Sequence, residues 1–286
     1  MNMLKESSGL LQTRSAAMPD VQGTADARNL PIDRVGVRGL RYPVLFGLDH
    51  AASQPSVAEF SLSVALAADR KGTHMSRFVA LLETMNKEGT PLTPDAMARL
   101  AQQMIVLLEA QEGSIELKAP FFIEKAAPVS GVKSLMDYRV GFQAHVCQEV
   151  TEVSLQVWVP VKSLCPCSKE ISDYGAHNQR SEVMVSVVMQ DPVKGVCPSV
   201  VELIQAVESQ ASCELWGLLK RPDEKYVTER AYENAKFVED LVRDVALTVG
   251  GLPGVARYTV EAENFESIHN HSAWARIHGP MAAGEV

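Results

Sequence analysis

Two thiols stand either side of a proline in Ser163-Leu164-Cys165-Pro166-Cys167-Ser168-Lys169-Glu170, and a histidine follows in Asp173-Tyr174-Gly175-Ala176-His177-Asn178-Gln179-Arg180. Thiolate and imidazole are the ligands that hold zinc and similar divalent ions. A one-residue spacer is short for a chelating pair, since zinc fingers use two residues or more. No second close cysteine pair completes an all-thiolate set, and nothing around Cys197 suggests a site. The pattern argues against a structural zinc finger and fits an open catalytic site with mixed ligands. Taken locally, His177 is also what an ordinary loop histidine looks like.

Other residues could join such chemistry. Glu224 and Asp223 lie in Arg221-Pro222-Asp223-Glu224-Lys225, which reads locally as a charged, solvated turn. Glu239 precedes Arg243 by four residues, the spacing of a surface helix pair. An ionised carboxylate is acceptor-only and can take two N–H donors at once. His269 and His271 flank Asn270 and would share one face of an extended backbone; two such histidines can bind metal or move protons. His74 and Arg77 stand at the start of an expected helix, where phosphate is favoured.

The elements that must position these groups follow from periodicity. Val35 to Phe46 reads as extended, and Phe60, Leu62, Val64 and Leu66 alternate as a half-buried strand. Ser76 to Met85 is an expected helix, and Thr93-Pro94 starts another with the apolar face Met97, Leu100, Met104, Leu107 and Leu108. Strands follow around Ser114–Lys125 and Tyr138–Gln148. Val153, Leu155, Val157, Val159 and Val161 alternate straight into the Cys-Pro-Cys loop, and Val183, Val185, Val187 and Met189 form the next strand. Pro166 is out of place inside a central strand, so the thiols belong to a loop at the strand end. Ser199 and Glu202 make a capping box for a helix to about Glu214. Thr228 is the expected cap of a second helix ending at Gly250-Gly251. Val255–Ala262 and Ser272–Ile277 close the chain as strands.

Strands, a helix pair and strands therefore occur twice, an α+β arrangement of antiparallel sheet with helices on one face. At 286 residues with 46% hydrophobic residues, a sizeable core is available. No stretch of about 18 apolar residues exists, so no membrane helix is expected. The net charge of −8 shows no basic stripe, so nucleic acid is not an expected partner. Five cysteines and no secretory signal speak against a disulfide scaffold and for a reducing cytoplasm. Cys147 and Cys213 read as small core residues. Residues 1–28 read as a disordered arm.

Leu164-Cys165-Pro166-Cys167-Ser168-Lys169-Glu170-Ile171-Ser172 with Gly175-Ala176-His177-Asn178-Gln179-Arg180 resembles the signature of the GTP cyclohydrolase IB family, which is metal-dependent and belongs to the tunnelling-fold superfamily. Lys71–Phe78, Leu219–Glu229 and Asn264–His271 extend the resemblance over most of the chain after Pro31. The resemblance implies two tunnelling-fold units, 29–150 and 151–280 with a tail at 281–286, closing into a barrel in a homo-oligomer, expected as a homotetramer. It implies one divalent ion (manganese, zinc or iron) on Cys167, His177 and Glu224, with Cys165 beside it as second ligand or catalytic thiol. It implies Glu239 as the anchor for the N–H edge of guanine, His269 and His271 in proton transfer, His74 and Arg77 toward the substrate, and lysine or arginine side chains on the triphosphate. The reaction implied opens GTP at C8, releases formate and yields 7,8-dihydroneopterin triphosphate for folate or a modified tRNA base. Two alternatives are an NADPH-dependent nitrile reductase of the same fold, against which the Cys-Pro-Cys and Gly-Ala-His blocks speak, and a metal- or thiol-binding protein, which leaves the other blocks unexplained.

Overall fold

The computed structural model describes residues 20–47, 53–193 and 196–279. Among them, eight strands form one antiparallel sheet in chain order: β1 (Ile32–Gly47), β2 (Ser53–Leu66), β3 (Glu112–Ala126), β4 (Lys133–Cys147), β5 (Val150–Leu164), β6 (Asn178–Met189), β7 (Val255–Asn264) and β8 (Ala273–Gly279). Helices α1 (Met75–Glu88) and α2 (Pro94–Leu108) connect β2 to β3. The short α3 (Pro166–Ile171) follows β5. Helices α4 (Val200–Gln210), α5 (Arg221–Glu233) and α6 (Val238–Gly250) connect β6 to β7. The α+β expectation and the repeated element order are both met, and no helix of the described residues is long and apolar enough to cross a membrane.

One face of the sheet is a continuous core. Phe60, Leu62, Val64, Ile115, Leu117, Val140, Val157, Val159, Val185 and Val260 are buried on it, under α1, α2, α4 and α6. The period-2 alternation of strands requires the intervening residues to face the other way. There Arg139 meets Glu182 at 2.9 Å and Lys133 meets Glu124 at 2.8 Å, so the open face is laced with exposed ion pairs. Gly141 lets the Trp158 ring lie close to β4: a Cβ there would stand 3.4 Å from Trp158 Cζ3 and 2.7 Å from the Leu117 carbonyl oxygen. Lys118 and Arg139 sit 4.9 and 4.6 Å from that ring.

Three boundaries differ from those read in the sequence. Thr93 caps α2 through the Ala96 N–H (3.1 Å) and Ser199 with Glu202 form the expected capping box. Helix α4, however, ends at Gln210 rather than Glu214, because Cys213 turns back to pair with Lys162 at the end of β5 (N···O 2.9 and 3.3 Å). Thr228 does not start a helix. It lies within α5 and donates to the Glu224 carbonyl (2.8 Å), and the expected single helix is two, α5 and α6. Each begins with an aspartate folding back: Asp223 accepts the Lys220 N–H (2.8 Å) and Asp240 the Phe237 N–H (3.2 Å).

Of the arm expected over residues 1–28, residues 1–19 lie outside the described residues, as does the tail 281–286. Residues 20–28 are held against the β2–α1 connection, where Asp26 N–H donates to Asp69 (2.9 Å) and Lys71 N–H to Thr24 (3.1 Å).

Strand direction divides the candidates between two ends. One end carries the exits of β3, β5 and β7, hence the 127–132 turn, α3 and the 265–272 loop. The other carries the exit of β2, the start of α1 and the β4–β5 turn.

Candidate active site

Strand β5 stops at Leu164 because Pro166 has no N–H to give a ladder; instead it occupies the first turn of α3. The thiols were expected on a loop, and the structure puts them at the head of this short helix. Cys165 is the N-cap, its Sγ accepting the Ser168 N–H at 3.5 Å. Its own N–H donates to the His177 carbonyl (3.2 Å), and the His177 N–H donates to Ser168 Oγ (3.2 Å). Cys165 and His177 are thus bonded through their backbones on neighbouring strand ends. Cys167 is exposed on the first turn. Lys169 fixes the far side of α3 by donating to the Tyr232 carbonyl (2.7 Å).

The His177 ring is 14% exposed. Its Nδ1 lies 3.1 Å from Gln179 Oε1 and 3.9 Å from Glu266 Oε2, while Gln179 Nε2 reaches Glu266 Oε1 at 3.4 Å. Glu266 belongs to the β7–β8 loop, anchored to β6 by the Phe265 N–H to the Arg180 carbonyl (3.0 Å). Further along that loop, His269 and His271 are exposed and stack with centroids 5.0 Å apart and planes at 10°. They share one side as expected, but on a turn rather than a strand.

The neighbours Asp223 and Glu224 part company. Asp223 is fully buried and accepts from the Val129 and Ser130 N–H groups (2.8 Å each), the Ser130 hydroxyl (2.6 Å) and the Lys220 N–H. Burial alone would push its carboxyl up, but the hydrogen bonds from Ser130, Lys220 and Val129 prevail and hold it well below the usual carboxylate range. Those bonds pin the first turn of α5 to the β3–β4 turn. Glu224, the next residue, is exposed. It lies some 12 Å along α5 from Tyr232, the residue that touches α3, at 1.5 Å per residue. Among the described residues, no three of His, Cys, Asp and Glu converge as a metal-holding cluster, so Cys167, His177 and Glu224 are not brought together within one chain. Glu239 is exposed on the first turn of α6. That turn is close to the thiols, because the Lys236 N–H donates to the Leu164 carbonyl (3.2 Å).

His74 and Arg77 stand at the other end of the sheet. His74 is the N-cap of α1 and its Nε2 lies 3.0 Å from Asp20 Oδ1. Arg77 donates to the Leu107 carbonyl (2.8 Å) and faces Glu109 at 3.5 Å, tying α1 to the C-terminus of α2. A fifteen-residue strand such as β5 separates the two ends by roughly 50 Å. On the open face, a cleft of about 1080 Å³ is lined by Arg41, Lys118, Arg139, Trp158, Arg180 and Glu182.

Cys213 and Cys147 have settings of their own. Cys213 is buried, and that burial, with Glu214 beside it, pushes its thiol up to about 11. Cys147 ends β4 on the other side of the molecule from α3. Glu266 and Gln179 were not among the residues singled out from the sequence. A signal existed: Gln179 shares the face of His177 two residues on, and Glu266 stands in the block that holds His269 and His271. Asp223 and Glu224 read alike as one charged, solvated turn, since nothing local shows which of two adjacent carboxylates the fold buries.

Compared with known proteins, residues 18–275 match the family model described as type I GTP cyclohydrolase folE2. The chain is 58% identical over 262 residues to GTP cyclohydrolase FolE2 of Bordetella petrii, covering 92% of this chain and 96% of that one. It is 56% identical over 262 residues to the protein of the same name from Herminiimonas arsenicoxydans, covering 92% and 97%. Among solved structures, uricase from Arthrobacter globiformis superposes with a TM-score of 0.51 at 9% identity, covering 87% of this chain and 95% of that one. A hyperthermostable mutant of Bacillus sp. TB-90 urate oxidase gives 0.52 at 9% identity, covering 86% and 98%. Those likenesses speak to the fold alone, which is the tunnelling fold. A family model spanning nearly the whole chain, and relatives of this identity over nine-tenths of it, show that the chain belongs to the type I GTP cyclohydrolase FolE2 family.

Proposed function

We propose that the chain hydrolyses and rearranges GTP to 7,8-dihydroneopterin triphosphate and formate, at the head of folate biosynthesis. The observation that carries the reading is the knitting of Cys165 to His177 at one end of the sheet, beneath the loop of His269 and His271, in a chain of the FolE2 family. The same end carries the first turn of α6, where Glu239 has the acceptor pair that suits the N–H edge of guanine. Lys162 and Arg180, paired in register where β5 leads into the thiols, supply cations for a triphosphate.

The donor chemistry fits a divalent ion. His177 uses Nδ1 for Gln179, which leaves Nε2 for a metal, and the thiols of Cys165 and Cys167 lie on the adjoining turn. Glu224 is the proposed oxygen ligand. A mixed sulfur, nitrogen and oxygen set suits manganese, zinc or iron, and a bound ion supplies Lewis-acid chemistry at C8. This chain's own groups then do the rest: Glu239 orients the base, His269 and His271 move protons at the imidazole ring of guanine, and the second thiol completes the site. The sheet's two edge strands, β1 and β8, and the distance of His74 and Arg77 from the thiols, support a homo-oligomer in which one copy completes another's site; we take it to be a homotetramer. The odd count of five cysteines supports a reducing cytoplasm as its compartment.

The test is to chelate the purified protein, incubate it with GTP with and without Mn²⁺, Zn²⁺ or Fe²⁺, and assay formate and fluorescent oxidised pterin. Metal-restored formation of both products is expected. Formate without pterin would mean ring opening alone, and neither product from folded, metal-loaded protein would overturn the reading.

A further inference from the structure

We propose that Glu266 and Gln179 are positioning residues that fix His177 in one tautomer, with the proton on Nδ1 and the lone pair left on Nε2, where it could hold a metal. The inference rests on the reading of His177 as a ligand and goes beyond it in naming what prepares that ligand. An ionised carboxylate can only accept, so Gln179 must turn its Nε2 toward Glu266, as the 3.4 Å contact has it. Its Oε1 then faces His177 Nδ1 at 3.1 Å, and an acceptor there requires that nitrogen to carry the hydrogen. A neutral imidazole has one N–H, so Nε2 is left bare. The hydrogen-bond network thus decides both the amide orientation and the tautomer.

The second oxygen of Glu266, 3.9 Å from the same Nδ1, acts in the same sense. His177 and Glu266 are 14% and 12% exposed, so little water competes for these groups. A flipped amide would set its oxygen against the carboxylate and its N–H₂ against Nδ1–H, losing both bonds. Carboxylates that hold the far nitrogen of a ligating histidine orient the ring and raise its basicity. Here the carboxylate acts through an intervening amide and arrives on the loop that carries His269 and His271. One relay therefore sets the metal-binding atom and holds the proton-transfer loop to it.

The experiment uses full-length protein labelled with ¹⁵N-imidazole histidine, stripped of metal. Solid-state ¹⁵N spectra of wild type, less those of His177→Ala, isolate one ring among the seven histidines. Co²⁺ titrations, followed by visible absorption, give metal affinity. Wild-type His177 is expected to show one tautomer, protonated at Nδ1. Glu266→Gln, which no longer dictates the amide direction, should show a mixture and bind Co²⁺ 10–100-fold more weakly, the range typical of lost outer-sphere partners. Gln179→Met is the second variant should the first fold poorly, with the same expectation. An unchanged tautomer and unchanged Co²⁺ affinity in both variants would overturn the inference. If His177→Ala instead binds Co²⁺ as tightly as wild type, the ligand reading fails on its own, and the tautomer spectra still decide whether the relay exists.

Discussion

Asp223 and Glu224 are adjacent carboxylates to which the fold gives opposite work. Asp223 has four donors around it and no exposure, whereas Glu224 is exposed. A carboxyl held below its ordinary value of 3.8 adds stability that is complete above that value and lost as pH falls below it toward the folded-state value. Asp223→Asn should therefore melt below wild type at pH 7, and the gap in Tm should hold down to about pH 4 and narrow progressively below it. A gap independent of pH would mean that the carboxylate charge is not what the turn requires. Glu224→Gln should shift stability by no more than about 0.5 kcal/mol, as exposed substitutions do, while abolishing turnover with GTP. Retained turnover would remove Glu224 from the ligand set. The local sequence offered both residues as one charged turn. Only the approach of the β3–β4 turn, nearly a hundred residues earlier, distinguishes them, and no spacing rule contains that.

The strands were legible because burial on one face imposes alternation, and Val153 to Val161 and Val183 to Met189 alternate without a break. Helices were legible where a hydroxyl caps them, at Thr93 and Ser199. They were not at α5 and α6, whose starts rely on an aspartate at the third helical position reaching back to a backbone N–H. The Asn234–Phe237 break between them contains neither glycine nor proline, so a continuous apolar period ran across it. The open face had a different cost in legibility, because Gly141 looks like a weak point in a strand until Trp158 is seen beside it. That glycine is a close-approach position, and Gly141→Ala should destabilise the fold by about 1–3 kcal/mol through overpacking. Urea unfolding measures it, and a shift in tryptophan emission should accompany it as the Trp158 ring is displaced. Wild-type stability with an unmoved spectrum would show that β3 and β5 yield to the methyl group without strain.

At the scale of the molecule, a sheet ordered from β1 to β8 has two edge strands, which among the described residues have no strand beyond them, only the bridge of Leu92 to the end of β1, and such edges are commonly closed by another copy of the chain. The division of candidate residues between the two ends makes that closure testable through activity. His74 leaves β2 where β5 begins, and Cys165 follows β5 where it ends, so no bending of a loop brings them into one site within a chain. If both serve the reaction, each site takes His74 from one copy and Cys165 from another. His74→Ala and Cys165→Ser should each be inactive as pure oligomers. Co-expressed in equal amounts, they should regain activity, because random assembly leaves roughly a quarter of the shared sites with both native residues. The recovered activity should fall on dilution in step with dissociation observed by sedimentation. Sites built within one chain would give no recovery at any mixing ratio. An active His74→Ala protein would take that residue out of the site, leaving its bond to Asp20 as its role.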